Sequence, residues 1–553
     1  MSINQKVRNQ IAQLINGAVE ANGYSMPNYI IEVPKDRANG DFSANVAMLL
    51  SKEAKMAPRM IADKLVGTMD FKDTYIEKIE VAGPGFINFY LSDNRLYDVI
   101  ADVETMGDRY GSVNDGQGKK VMVEFVSANP TGPMHMGNAR GGALGDSMAA
   151  VLDFAGYDVT REFYLNDAGN QIEKFAQSLQ ARYLELCGKE IEFSEDWYQG
   201  ADIIERAQEF KDKYGESYVD CDEQERKDAL VKLSLVTNEK NMIATLKNYR
   251  INYDVWFKES SLYENGDIKE TIEILKNSGS CYEKDGALWF KSPGEDDKDE
   301  VLVRANGFPT YFTADIAYHR NKFVKRGFDK VIDVWGADHH GHVARMKSAM
   351  EAVGVDKDKL EVVLMQLVRL LRNGEVARMS KRSGKAITLD DLLEEIGIDA
   401  ARFFFNMRNA GSHFDFDLDL AVKQNNDNPV FYVQYAHARI CSIIRLLGEQ
   451  GVVVPKASEA KTQLLNSKEE HELLRKIAEL PDEISASAET LEPARLTRYA
   501  IDLATAFHSF YNACHVNVDD SDLKQARLKL IDCARITLSN VLRLLAVSAP
   551  EKM

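Results

Sequence analysis

No apolar run in this 553-residue chain approaches the ~20 residues a helix needs to cross a bilayer. Cysteine is scarce. Cys187, Cys221, Cys281, Cys441, Cys514 and Cys533 are scattered, with no CxxC and no Cys/His pair at metal-ligand spacing. That argues against a disulfide framework and a structural zinc site, and predicts buried, reduced thiols and no metal ligands. No internal repeat or low-complexity tract is visible. The N-terminus lacks the apolar core of a secretion signal: Ile3, Val7, Ile11, Leu14 and Ala18 recur at helical spacing instead. Residues 2–20 therefore read as an amphipathic helix of the mature fold, and the chain is expected in the cytoplasm. Positive charge is also in deficit, with 68 Lys and Arg against 86 Asp and Glu, a net −18. That lowers the expectation of a nucleic-acid partner without excluding one, because binding depends on where cations cluster.

What is present is ordinary globular material, 45% hydrophobic and 28% charged. At roughly 150 residues per domain, the length predicts three or four domains. Residues 1–112 read as an α+β module: a helix, then strand-like runs around Ile76, Ile79, Val81, Phe86, Ile87 and Phe89, broken by Gly83-Pro84-Gly85. Residues 113–424 open with the apolar run VMVEFV (121–126), a glycine-containing loop, a long helical stretch and a second strand, DVTREFYL. That order predicts a doubly wound parallel sheet, resumed by KVIDVWGA (330–337) and LEVVLMQLV (360–368). A helical insertion is expected near 175–300. From 425 to 553 the pattern is helical, and Leu496, Tyr499, Leu503, Phe507 and Phe510 form the stripe of a bundle helix.

Two segments carry candidate chemistry. In NPTGPMHMGNARGGALGD (129–146) a strand ends, prolines and glycines turn the chain, and His135 precedes a helix. Free N–H groups and the dipole at such a helix start favour phosphate, and Gly137 lets a flat base approach the backbone. An HxG tripeptide before a helix is common, so this segment alone leaves an ordinary loop as the commoner reading. In ARMSKRSGKAITLDDLL (377–393), Arg378, Lys381, Arg382 and Lys385 share one loop, followed by a helix expected to be capped by Thr388. Such a loop can stabilise charge growing on a transferring phosphoryl group, although by itself it reads more readily as a solvated basic loop.

Together the segments resemble the paired signatures of class I aminoacyl-tRNA synthetases. His135-Met136-Gly137-Asn138 stands for the family's His-Ile-Gly-His, and Arg378-Met379-Ser380-Lys381-Arg382 for its Lys-Met-Ser-Lys-Ser. Both depart from the pattern: Asn138 still offers a hydrogen bond, and Arg378 keeps charge but not shape. The segments REFYLNDAGNQI, GFPTYFTADIAYHRNKF, VWGADHHGHVARM, LEPARLTRYAIDLATAFHSFYNAC, NGDFSANVAMLLSK and GPGFINF look like those of arginyl-tRNA synthetases. The resemblance covers nearly the whole chain and is weakest from about 185 to 300.

The resemblance implies an arginine–tRNA ligase with a Rossmann-like catalytic domain, an α+β N-terminal domain and an all-α C-terminal bundle. Its substrates would be ATP, L-arginine and tRNA, with Mg²⁺ accompanying the nucleotide. It implies catalytic roles for His135, Asn138, Arg378 and Lys381. ATP would also meet Pro130, Gly137, Gly336, Asp338, Met379 and Ser380. Arginine would be read by Glu124, Asn129, Tyr311, Asp315 and His339; planar acceptors suit its guanidinium fork. Asp315 follows Tyr311 by four residues, so a helix there puts both on one face. The N-terminal module would touch the outer corner of tRNA and the bundle would read the anticodon, with Tyr432, Tyr435 and Arg439 as candidates beside His437, although their spacing suits a packed helix as well. The family implies a monomer, with no DNA or membrane partner. Two other readings stand at this point: another nucleotidyl transferase on the same sheet, and a catalytically inactive, synthetase-like tRNA-binding protein.

Overall fold

The computed structural model describes residues 3–292, 298–377 and 387–553. The N-terminal unit opens with the helix Ile3–Ala21, whose buried face is Ile3, Val7, Ile11, Ile15, Ala18 and Val19. Two shorter helices, Val46–Ala54 and Pro58–Val66, join it over a four-stranded antiparallel sheet. The strand order is Ile31–Glu32, Phe42–Ala44, Phe86–Leu91, Ile76–Ala82. This unit has a core of its own, centred on Val7, Ile11, Phe42, Ile61, Leu65, Ile87 and Phe89.

The central sheet has five strands, all parallel: Lys120–Glu124, Asp158–Leu165, Val255–Lys258, Lys330–Gly336 and Leu360–Met365 in chain order. In space the order is fifth, fourth, first, second, third. The chain therefore reverses direction across the sheet between Lys120–Glu124 and Lys330–Gly336. Ligands of doubly wound sheets bind beyond the carboxyl ends of the strands at such a switch point. The helix Gly137–Phe154 lies against the sheet so closely that a Cβ on Gly145 would sit 2.2 Å from Phe125 Cγ.

Two expectations are corrected. The stretch near 175–300 is not a wholly helical insertion. Its helices Ala201–Tyr214 and Glu223–Asn248 pack with Asn170–Leu186 around Phe175, Leu179, Tyr183 and Phe210. Val255–Lys258 then supplies the third strand of the main sheet, and Cys281–Lys284, Ala287–Phe290 and Glu300–Val303 form a small antiparallel sheet. Strands of four residues are too short to show periodicity. LEVVLMQLV, expected as one strand, is two: Leu360–Met365 closes the main sheet, and Val368–Arg372 pairs with Glu375–Val376 and Phe414–Asp417.

The C-terminal region is helical, with Pro429–Glu449, Lys468–Ala478, Leu480–Thr490, Ala494–Ala513 and Ser521–Leu544. Leu496, Tyr499, Leu503, Phe507 and Phe510 are buried as the stripe requires. Its core is continuous with one face of the five-stranded parallel sheet. Buried Arg402 fastens the two: its guanidinium donates to Asp146 on the helix Gly137–Phe154 at 2.5 Å and to the carbonyls of Tyr249 and Leu545 at 3.2 and 2.8 Å. All six cysteines are free, but only Cys514 and Cys533 are buried; the other four are half-buried, so that expectation held in part. Among the described residues no helix is long and apolar enough to cross a membrane.

Candidate active site

At the carboxyl end of Lys120–Glu124 the chain turns sharply. Val126 and Ser127 have φ of 71° and 41°. The left-handed region is costly for a β-branched residue, so surrounding structure must impose it. The turn carries the Ser127 hydroxyl back to donate to Glu124 Oε1 at 2.8 Å, while its oxygen accepts from the Tyr164 N–H at 3.2 Å. The loop that follows leads to His135. There the Gly137 N–H donates to His135 Nδ1 at 3.0 Å, which leaves the neutral ring's proton on Nε2. Asn138 Oδ1 accepts from the His135 N–H at 3.2 Å, so Asn138 shapes this turn through its own side chain.

The second signature, Arg378 to Lys385, lies outside the described residues. The residues that follow it are paired with the first signature. Met136 N–H donates to Ile387 O at 3.1 Å, Leu389 N–H donates to Met134 O at 2.9 Å, and His135 and Thr388 form an antiparallel bridge. Thr388 caps the helix Leu389–Ile396 in a full capping box with Asp391. Two segments some 250 positions apart in sequence are thus stitched together at one end of the sheet.

Beside this loop, at the switch point, is a cavity of about 220 Å³ lined by Glu124, Ser127, Tyr164, Asp315, Gly336 and His339, among others. Asp315 projects from the helix Tyr311–Arg320, and one of its oxygens lies 3.2 Å from His342 Nε2. His339 is exposed at the rim, its ring 5.9 Å from Trp335. Two residues expected here are elsewhere. Asn129 donates to Gln171 at 2.9 Å and does not line the cavity. Tyr311 shares the helix with Asp315, but as its first residue it is 70% exposed and outside the cavity lining. Of the residues expected at ATP, Gly137 and Asn138 begin the helix beyond one strand, while Gly336 ends the neighbouring strand and Asp338 follows it. Pro130 is buried, its carbonyl accepting from Asn238 at 2.8 Å.

Under the cavity floor is a charge cluster that sequence reasoning missed. Lys322 Nζ lies 2.5 Å from Glu124 Oε2 and 3.0 Å from Asp333 Oδ1, with no solvent exposure. Asp333 Oδ2 accepts from His319 Nε2 at 2.7 Å, and His319 Nδ1 faces the Asp315 carbonyl at 2.8 Å. Burial pushes the Asp333 carboxyl up, but Lys322 and His319 outweigh it and hold it at about 2. Burial dominates at Glu124, whose pKa is raised despite Lys322. Glu162 accepts from Tyr318 at 2.5 Å and from Arg326 at 2.9 Å. Three carboxylates thus face three cations, an arrangement that buried charge requires. Glu259, next to the cavity residue Tyr164, is pushed up to about 7 by burial and the nearby Asp315 and Asp167 carboxylates.

In the C-terminal bundle Arg439 lies 5.4 Å from the Tyr435 ring centroid and 4.2 Å from that of Tyr511, and donates to the Tyr435 hydroxyl at 2.8 Å. Tyr432 packs on His508 at 4.9 Å. All three candidates are half-buried, whereas His437 is core, its Nδ1 2.9 Å from the Pro550 carbonyl.

Family models match three parts of the chain: an arginyl tRNA synthetase N-terminal domain at 2–91, a class I (R) tRNA synthetase catalytic domain at 100–417, and a DALR anticodon binding domain at 433–553. The chain belongs to the arginyl-tRNA synthetases. The synthetase is 58% identical to an arginine–tRNA ligase of Ruminiclostridium cellulolyticum, covering 100% of this chain and 99% of that one. It is 55% identical to an arginine–tRNA ligase of Acetivibrio thermocellus, over 100% of this chain and 98% of that one. In fold it is similar to Thermus thermophilus arginyl-tRNA synthetase, with a TM-score of 0.77 at 23% identity over 99% of this chain and 100% of that one. The class I catalytic domain makes the synthetase a ligase enzyme.

Proposed function

We propose that the synthetase joins L-arginine to its tRNA, and that the cavity at the switch point holds the arginine side chain. The observation that carries this reading is the pairing of two carboxylates, Asp315 and Glu124, on one small cavity beside the His135 loop. A guanidinium presents N–H donors in a fixed plane, which oxygens on separate walls can satisfy together. Lysine would leave at least one of those acceptors unpaired. His339 closes the outer side. Asn129 and Tyr311, outside the cavity lining, are assigned to the rim, facing the substrate's backbone end.

ATP is assigned to the crevice between the His135 loop and Gly336–Asp338. In the first step the arginine carboxylate oxygen attacks the α-phosphorus and the bond to the bridging oxygen of pyrophosphate breaks, leaving arginyl-adenylate. Nε2–H of His135, the positive end of the helix Gly137–Phe154, and the cations Arg378 and Lys381 supply a hydrogen bond and charge to the phosphate oxygens, with Met379 and Ser380 in the same signature. In the second step the terminal 2′-hydroxyl of tRNA attacks the activated carbonyl and AMP leaves. Among the described residues no group of three or more His, Cys, Asp or Glu side chains converges to hold an ion. Mg²⁺ would accompany the nucleotide on its phosphate oxygens, and no step is routed through it.

Tyr432, Tyr435 and Arg439 are assigned to unstacked anticodon bases, since rings and guanidinium already offer stacking faces. The domain limits are set at 1–112, 113–424 and 425–553, and the protein is read as a cytoplasmic monomer. Charging of total tRNA with each of the twenty amino acids, with ATP and Mg²⁺, tests the reading. Arginine alone should be attached; another amino acid would overturn the cavity assignment.

A further inference from the structure

Glu124 meets the cavity with both of its oxygens already engaged. Ser127, in the strained turn, donates to Oε1 at 2.8 Å, and Lys322 donates to Oε2 at 2.5 Å. A carboxylate held at both oxygens cannot rotate about its last bond, so its remaining lone pairs point in a fixed plane. Lys322 is itself held from three sides: by Glu124, by Asp333 at 3.0 Å, and by the Tyr318 ring, whose centroid is 4.2 Å from Nζ. It lies where the helix Tyr311–Arg320 widens into a π turn over Asn321–Lys325, a device often found at functional sites. Lys322 and Phe323 are buried there, while the partly exposed Lys325 pairs with Asp267 and Glu270. Lys322 touches neither cavity nor solvent, so it is not itself a ligand of the substrate.

We propose that Lys322 is a positioning residue for amino-acid recognition: its ammonium, with the Ser127 hydroxyl, fixes the plane of the Glu124 carboxylate against which the arginine guanidinium docks. This rests on the assignment of the cavity to the arginine side chain. A built-in ammonium occupies the compact-cation site on Glu124 and leaves the substrate only the lone pairs that suit a planar fork. Lys322→Ala would free the Glu124 carboxylate to turn, and would leave a hole lined by Glu124, Asp333 and Tyr318 that a small primary ammonium ion can refill.

The test is tRNA charging by full-length Lys322→Ala, with KM measured separately for arginine and ATP, with and without ethylammonium. Loss of one charged hydrogen bond on the reading carboxylate should raise KM for arginine about 10- to 100-fold, with KM for ATP within about twofold. Ethylammonium should lower the variant's KM for arginine and leave that of the parent protein unchanged. An unchanged KM for arginine overturns the proposal. So does a joint loss in kcat and both KM values without amine rescue, which marks Lys322 as merely structural. Should Lys322→Ala fail to fold, the pair Lys322→Met with Asp333→Asn removes one buried charge of each sign and asks the same question. In that pair a raised KM for arginine supports the proposal and an unchanged one overturns it. Asp315→Asn separates the two layers of argument. If it leaves KM for arginine unchanged, the cavity assignment falls and the Lys322 proposal with it. If it raises KM while the Lys322 variants do not, only the Lys322 proposal falls.

Discussion

His319 Nε2 stands 2.7 Å from Asp333 Oδ2, and its Nδ1 stands 2.8 Å from the carbonyl oxygen of Asp315. Both partners are acceptors, so both ring nitrogens must carry protons and His319 is an imidazolium. Burial and Lys322 work against that charge, but Asp333 outweighs them and the pKa is raised. A histidine whose folded pKa lies above its unfolded value adds stability that is complete below the unfolded pKa, near 6.5. That contribution is lost as pH rises through the folded value. His319→Gln should therefore lower Tm most at pH 6, and the gap to the parent protein should narrow as pH rises through the folded value. A gap that does not change with pH would mean a neutral ring.

Glu259 gives a second pH signature. Its carboxyl is pushed up to about 7 by burial first and by the Asp315 and Asp167 carboxylates after it. Between its unfolded value and 7 the native state keeps a proton that the unfolded chain gives up, so stability falls as pH rises through that window. A displacement of this size corresponds to about 3 kcal/mol. Glu259→Gln, neutral at every pH, should flatten the Tm profile between pH 5 and 8 and equal or exceed the parent at pH 8. Identical slopes for the two proteins would count against a protonated Glu259.

At the first signature, a methyl group on Gly137 would stand 2.6 Å from His135 Cε1 and 2.8 Å from Nδ1. The imidazole would have to move, losing its hydrogen bond from the Gly137 N–H. Gly137→Ala should keep the fold and lower the rate of adenylate formation by about 100-fold, the scale for losing one aligned donor to a developing charge. Single-turnover formation of arginyl-adenylate measures this directly; a rate within threefold of the parent would remove His135 from the chemistry.

Thr388 both caps the helix Leu389–Ile396 and pairs with His135. Thr388→Ala should cost about 1 kcal/mol through the lost cap, read as a fall in Tm. Thr388→Ser keeps the hydroxyl and should behave as the parent protein.

Legibility in the sequence followed the length and punctuation of each element. The doubly wound sheet was readable because β-branched runs such as VMVEFV are bounded by glycine and proline, and the His135 loop because a strand, a turn and a helix follow in order. Val255–Lys258 was not, since four residues between helices carry no period. The charge cluster was hidden for a different reason. In AYHRNKFVKRGF five cations stand close together, and nothing in composition separates Lys322, which is buried, from Lys325, which is not. Burial of one and not the other is decided by the π turn. Asp315, which lines the cavity, stood out in the sequence only through its family match, and Tyr311, expected beside it, begins the helix outside the cavity lining. Tyr164 and Ser127, which complete the cavity, had no signal: one is an ordinary strand residue, and the other matters through a backbone twist that sequence does not announce.

Arg402 gives the molecule a mechanical property. One buried guanidinium holds the helix that begins at the first signature and the carbonyl of Leu545, just past the last bundle helix. The bundle cannot pivot on its own, because any swing large enough to accommodate a bound RNA must drag the Asp146 helix along or leave a charge stranded away from water. The far end of the chain is thus a lever arm whose short end is the helix that begins at the His135 loop.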